Sequence, residues 1–191
     1  MVNRGLRRYA KTFILAFVSV ALSLGLLLFT QKSFLKASYP CKYRDFVEEF
    51  SESYGVDKWL IYSVIRTESG FDISAKSNAE AKGLMQITEE TYSWAQQRKN
   101  LPFALSHDTL YDPKTSIDFG SYILSLLLEE FENEETAISA YHAGWGNVKS
   151  WLKDEKLSPD GKHLITTPFK STNHYVKKVM ETKAIYQALW G

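Results

Sequence analysis

Between Asp57 and Glu68 the apolar residues Ile61, Val64 and Ile65 recur at helical spacing, and the next step of that stripe is Glu68 itself. The pattern predicts a helix opening at Asp57, with Val56 and Ile61 placed as a hydrophobic staple, and closing at Gly70. It also puts a carboxylate on the face that should be buried. The same periodicity predicts helices over 43–53, from about Thr88, over 116–131, 134–143, 146–153 and 172–190. The stripe of the fourth holds Phe119, Ile123, Leu126 and Leu127; that of the last holds Val176, Val179, Met180, Ala184 and Ala188. Residues 71–83 are small and polar without helical period, and read as a loop with at most a short irregular hairpin. Residues 98–115, with Pro102 and an Asp112-Pro113 turn signal, also read as loop. The expectation is a mainly α fold, a helical globule with little sheet.

One stretch breaks the amphipathic rhythm. Residues 12–30 carry no charge and are almost wholly apolar, long enough as a helix to cross the hydrocarbon of a bilayer. Arg4, Arg7, Arg8 and Lys11 precede it, which keeps the N-terminus cytoplasmic and sends the remainder outward. The predicted organisation is a basic segment 1–11, a transmembrane anchor 12–30, a tether 31–42 and a globular domain 43–191. The expected location is the cell membrane, single-pass, with the domain extracytoplasmic. A cleaved signal peptide and a secreted product is the alternative.

Charge sharpens that division. Residues 1–36 hold six Lys/Arg and no acid, so the rest of the chain is net −5 although the whole is +1. An acidic domain is a poor nucleic-acid binder, and none is expected as partner. Its single cysteine, Cys41, cannot form an internal disulfide. His107, His142, His163 and His174 stand apart from one another with no metal-ligand spacing, and no phosphate-binding glycine loop occurs, so neither metal nor cofactor is expected. Aromatic residues make up 14% of the chain, which suits a core and also a groove that stacks on sugar rings.

Burying Glu68 without a cation would disfavour its charged form and raise its pKa, which is what a general acid working near neutral pH requires. Three segments then gather around it: Glu68-Ser69-Gly70-Phe71 continuing to Ser77; Gly83-Leu84-Met85-Gln86-Ile87 with Thr91; and Ala140-Tyr141-His142-Ala143-Gly144-Trp145-Gly146-Asn147-Val148. Leu110-Tyr111-Asp112-Pro113 with Ile117 and Gly120, and Pro168-Phe169-Lys170 with Thr172 and Tyr175-Val176, complete the series. In this order they resemble the soluble-lytic-transglycosylase-like domains, related to goose-type lysozyme, over about residues 43–190.

The resemblance implies that Glu68 is the sole acid/base in cleavage of the β-1,4 bond between N-acetylmuramic acid and N-acetylglucosamine. The 6-hydroxyl of the muramic acid then closes to a 1,6-anhydro end, so the enzyme is a lyase acting on peptidoglycan glycan strands. It further implies that Ser77, Met85, Gln86, Tyr141, His142, Ala143 and Tyr175 contact substrate. His142 stands where the family commonly has Asn, Ser171 where it has a Glu linked to the peptide stem, and Glu80 in a stretch often carrying Gly. Asp72, Glu80, Glu89 and Glu90 are the acids near the site that a hydrolase would draw on for a second carboxylate. A lysozyme-type muramidase, and a glycan-binding scaffold without turnover, remain the competing readings. A monomer is expected.

Overall fold

The computed structural model describes residues 2–191, with the side chains of residues 1–8, 10, 12, 13 and 28 outside the described part. The side chains of Arg4, Arg7 and Arg8, on which the charge argument for orientation partly rests, fall there. The chain divides into two units, residues 1–40 and 41–191.

The first unit is one helix, α1 (Val2–Ser38), longer than the apolar stretch that predicted it. It runs through the expected tether because residues 31–38 contain neither Pro nor Gly to stop it. Its stretch Ile14–Ser38 is long and apolar enough to cross a membrane. Ile14, Leu15, Phe17, Leu22 and Phe29 are all exposed, so this unit forms no core of its own.

The second unit is built of helices α2 (Arg44–Tyr54), α3 (Lys58–Glu68), α4 (Glu89–Arg98), α5 (Pro113–Phe131), α6 (Glu134–Ala143), α7 (Trp145–Trp151) and α8 (Lys170–Trp190). A 3-10 turn, His107–Tyr111, interrupts the region read as loop. No strand forms among the described residues; Lys82 makes isolated bridges to Lys76 and Ile87 where the irregular hairpin was expected.

α3 is the axis of this unit. Asp57 caps it, accepting from the Trp59 amide at 2.9 Å, and Val56 and Ile61 are both buried. Its burial exceeds a single stripe, since every residue from Leu60 to Ile65 is buried. Full burial of each large aliphatic side chain contributes about 1.5–3 kcal/mol. α8 covers α3 most extensively, while α5 joins α2, α4 and α6. Lys183 of α8 ties the start of α3 to α6, reaching Asp57 at 3.1 Å and Glu134 at 2.6 Å.

Two patterns depart from expectation. α5 begins at Pro113, because Asp112 is its N-cap, accepting from the Thr115 amide at 2.8 Å, and proline suits the first helical turn. The Asp-Pro pair therefore starts a helix instead of marking a turn. In α8 the buried residues are Thr172, Tyr175, Val179, Thr182 and Tyr186, while Ala184 and Ala188 are exposed. Thr and Tyr supply that buried face, so a stripe drawn from aliphatic residues alone is rotated away from it. In α5, likewise, Leu124 is buried and Leu126 only half-buried.

Candidate active site

Glu68 is the last residue of α3, and the chain reverses immediately after it. Gly70 at φ 59° and Phe71 at φ 69° both take the left-handed conformation, and Phe71 packs into the core. Ser69 fastens the reversal. Its hydroxyl lies 2.9 Å from the Leu84 carbonyl and 3.1 Å from that of Ile65, and it accepts from the Phe71 amide. The end of α3 is thereby held against the Gly83–Ile87 segment.

That segment is itself set by close approach. Gly83, at φ 74°, lies so near Leu110 that a Cβ would overlap the Leu110 carbonyl oxygen. Gly120 likewise leaves room for the Met85 side chain, which a Cβ would displace. Met85 is accordingly fully buried: of the two roles its position allows, groove wall or core, its side chain takes the core and does not contact the groove. Its carbonyl still serves the site, accepting from the Tyr141 hydroxyl at 2.8 Å. Gln86 at φ 49° uses its amide nitrogen on the carbonyls of Ala75 and Gly83, at 3.0 and 2.9 Å, and lines the groove. Ser77 lines it too, its hydroxyl accepting from the Ala81 amide at 3.1 Å. Glu80 adopts φ 61°, a conformation that costs a residue with a Cβ, which gives the expected glycine preference there a physical basis.

The groove is about 710 Å³ in volume. Glu68, Ser77, Gln86, Tyr141 and His142 all line it. Ala143 does not; its carbonyl accepts from the Asn147 side chain at 2.7 Å, and the neighbouring Gly144 faces the groove instead. Tyr175 reaches the site through its hydroxyl, which donates to Glu68 Oε1 at 2.5 Å. The His142 ring lies against Tyr175 with centroids 4.4 Å apart, its Nδ1 3.2 Å from the Thr172 hydroxyl. Glu68, Tyr175 and His142 thus form one connected group.

Burial pushes the Glu68 carboxyl up to about 7, against the smaller opposing effects of the Tyr175 hydrogen bond and the Lys178 charge. Tyr141 and Tyr175 are held neutral well above the usual phenol range, by burial and by the nearby Glu68. His142 is pushed below its usual value by burial, so at neutral pH its imidazole is uncharged. The site therefore presents a carboxyl poised between its two forms near pH 7, beside neutral hydrogen-bonding groups.

Of the other acids considered from the sequence, Asp72 caps its own turn at Ser74 and Glu80 pairs with Lys76 at 2.6 Å. Glu89 points to a different hollow, on the far side of α4. Glu90 lines the same groove as Glu68. Sequence reasoning missed Trp94, Arg98, Glu130 and Trp145 as lining residues. For α4 a signal existed: Glu90, Trp94 and Arg98 stand four residues apart, on one helical face.

Comparison with known proteins places these features in context. Residues 45–164 match the model of the transglycosylase SLT domain. The chain is 30% identical over 159 residues to the soluble lytic murein transglycosylase of Escherichia coli K12, covering 82% of this chain and 25% of that protein. It is 31% identical over 170 residues to the membrane-bound lytic murein transglycosylase C of Salmonella arizonae, covering 76% of this chain and 46% of that protein. Among solved structures, the 70-kDa soluble lytic transglycosylase of E. coli aligns with a TM-score of 0.73 at 27% identity, over 82% of this chain and 26% of that one. The lytic transglycosylase Slt of Pseudomonas aeruginosa, solved as an inactive Glu-to-Gln mutant, aligns with a TM-score of 0.70 at 30% identity, over 81% and 25%. The chain thus spans about a quarter of the length of the first of these relatives.

Proposed function

The chain belongs to the transglycosylase SLT domain family, and from that premise we propose that residues 41–191 cleave peptidoglycan glycan strands as a lytic transglycosylase, with Glu68 as the single acid and base. The observation that carries the proposal is the Glu68 carboxyl, raised to about 7 by burial at the wall of a groove of about 710 Å³. A glycosidic oxygen is a poor leaving group until protonated, and a carboxyl of this kind is protonated in a large fraction of molecules at neutral pH.

In the first step the Glu68 carboxyl gives its proton to the oxygen between N-acetylmuramic acid and N-acetylglucosamine. The bond from the muramic anomeric carbon to that oxygen breaks, and the glucosamine leaves as an alcohol. In the second step the Glu68 carboxylate takes the proton of the muramic 6-hydroxyl, whose oxygen bonds the anomeric carbon. The 1,6-anhydro ring closes, Glu68 is again protonated and no water is consumed. The Tyr175 hydroxyl, donating to Glu68 Oε1, supports the carboxylate between the two steps. Neutral Tyr141 and Gln86, both on the groove, have their O–H and N–H groups committed to backbone carbonyls, so they offer their side-chain oxygens to the sugar as acceptors. His142, uncharged at neutral pH, supplies a further polar ring edge in place of an asparagine. The relatives named as lytic murein transglycosylases, and the solved relative inactivated by a Glu-to-Gln change, support the reading.

The α1 helix is the membrane anchor in this reading, spanning once with its basic N-terminus cytoplasmic and the catalytic unit outside. The similarity to a membrane-bound relative supports an association with the membrane. Protease accessibility in intact spheroplasts checks it: digestion of the catalytic unit from outside is expected, and protection until lysis would reverse the orientation.

The activity is tested by release of soluble fragments from purified cell wall. The full chain should solubilise the wall, and Glu68→Gln, which keeps shape and hydrogen bonding but has no carboxyl proton, should not. Equal release by the variant would remove Glu68 from the chemistry and leave the groove a binding site.

A further inference from the structure

The groove that Glu68 lines is also lined by α4, by α7 and by Ile123 and Leu127 of α5. The tryptophans Trp94 of α4 and Trp145 of α7 line it and are 36% and 50% exposed. Exposed indoles in a concave surface present flat apolar faces to a ligand. Arg98 lies one turn past Trp94, with its guanidinium carbon 5.4 Å from the centre of the indole, so the ring holds the cation in place.

The charges around Arg98 are uneven. Glu68, Glu90 and Glu130 also line the groove, and Glu130 is paired with Lys149. Arg98 is the one guanidinium or ammonium group lining it, and no carboxylate pairs with it among the described residues. Lys149, the other cation beside this groove, is already engaged by Glu130 and lies 5.3 Å from the centre of the Trp145 ring, which leaves Arg98 as the cation without a carboxylate partner for an anionic group entering the groove. A planar guanidinium also presents paired N–H donors that match a carboxylate.

We propose that Trp94 and Arg98 form a carboxylate-selecting subsite that sets the register of the glycan strand: the indole carries a sugar ring and Arg98 binds a carboxylate borne by that residue. This rests on the transglycosylase reading above and adds a specificity determinant to it. Along a peptidoglycan strand only every second sugar, the muramic acid, carries a carboxyl-bearing side group. That carboxylate is either the bare lactyl group or belongs to the attached stem peptide. Fixing one muramic residue at Arg98 fixes which of the two alternating glycosidic bonds lies at Glu68. Complementary charge at one point thereby chooses the position of the strand.

The test is binding by the full chain carrying Glu68→Gln, followed by calorimetry, so that turnover does not intrude. The ligands are strand fragments with stem peptides, fragments whose stems have been removed by an amidase, and each of these after conversion of its carboxylates to primary amides. Amidation is expected to weaken binding about five- to tenfold in the fragment that carries the recognised group, a difference of about 1–1.4 kcal/mol. Loss with the stem-bearing fragment assigns the stem carboxylate; loss with the stripped fragment assigns the lactyl group. Adding Arg98→Gln should give the same weakening and abolish any further effect of amidation. Adding Trp94→Ala should weaken all four ligands. Amidation penalties that survive Arg98→Gln would overturn the subsite. Undiminished wall cleavage by Arg98→Gln with wild-type product ratios would overturn register selection while leaving the transglycosylase reading intact; no cleavage by the wild-type chain would count against that reading itself.

Discussion

Replacing Glu68 by Gln should stabilise the folded protein, and do so only above a defined pH. The carboxyl ordinarily titrates at 4.5 and is pushed to about 7 in the fold. A group whose folded pKa lies above its unfolded value binds more protons in the folded state. Its favourable contribution is complete below pH 4.5 and is lost as the pH rises through about 7. At 1.36 kcal/mol for each tenfold change, the full span of 4.5 to about 7 corresponds to about 3 kcal/mol, and the portion between pH 5 and pH 8 to about 2.5 kcal/mol. Gln has no such titration, yet its side-chain oxygen can still accept from Tyr175. The advantage of Glu68→Gln over wild type should therefore grow by about 2.5 kcal/mol between pH 5 and pH 8. For a domain of this size that is a difference in Tm of roughly 5–10 °C. Urea unfolding of both full-length proteins in detergent, followed by tryptophan fluorescence at the two pH values, measures it. Subtracting wild type from variant removes the other titrations common to both. An advantage that is the same at both pH values would show that Glu68 is solvated and ordinary, and the argument for a poised acid would fail with it.

Other consequences are as direct. Tyr175→Phe removes the donor that favours the Glu68 carboxylate, so the pH at which cleavage falls off on the alkaline side should move upward, by about one pH unit for a hydrogen bond of about 1.5 kcal/mol; an unmoved or lowered midpoint in a profile of kcat/KM against pH counts against the assignment. Gly83→Ala would set a Cβ against the Leu110 carbonyl at φ 74° and should cost about 3 kcal/mol or more, read as a lowered urea midpoint; wild-type stability would show that this approach is not a constraint. Lys99 meets both oxygens of Asp118 at 2.7 Å among the rings of Tyr54, Phe119 and Tyr122. Lys99→Met leaves the Asp118 carboxylate without its cation, with only the Tyr54 hydroxyl still donating to it, and should cost about 2–3 kcal/mol that Asp118→Leu in the same chain partly restores; additive losses in the double variant would refute the coupling.

The candidate site was legible where local physics is strong. Asp57 as a cap, the Val56–Ile61 staple and the stripe ending in a carboxylate located α3 and its buried acid without reference to anything distant. What stayed illegible depends on partners far along the chain. Met85 looks like a groove residue because Gln86 beside it is one; only the hole left by Gly120 of α5 shows that its side chain turns inward. The buried face of α8 is written in Thr172, Tyr175, Thr182 and Tyr186, whose hydroxyls make them look solvent-facing until α3 and α6 are laid against them. Pro113 read as a break because the capping role of Asp112 depends on the backbone after it. Trp94 and Arg98 carried a visible four-residue spacing, but which face of α4 meets the groove is decided by α5.

The central claim is that Glu68 works alone, first as acid and then as base toward the muramic 6-hydroxyl. Mass spectrometry of the sugars that the full chain releases from purified peptidoglycan tests it most directly. The account predicts fragments ending in 1,6-anhydromuramic acid, each lighter by one water than its hydrolytic counterpart. Reducing muramic acid ends would contradict it, make water the nucleophile and turn attention to Glu90, the groove-lining acid without an assigned role.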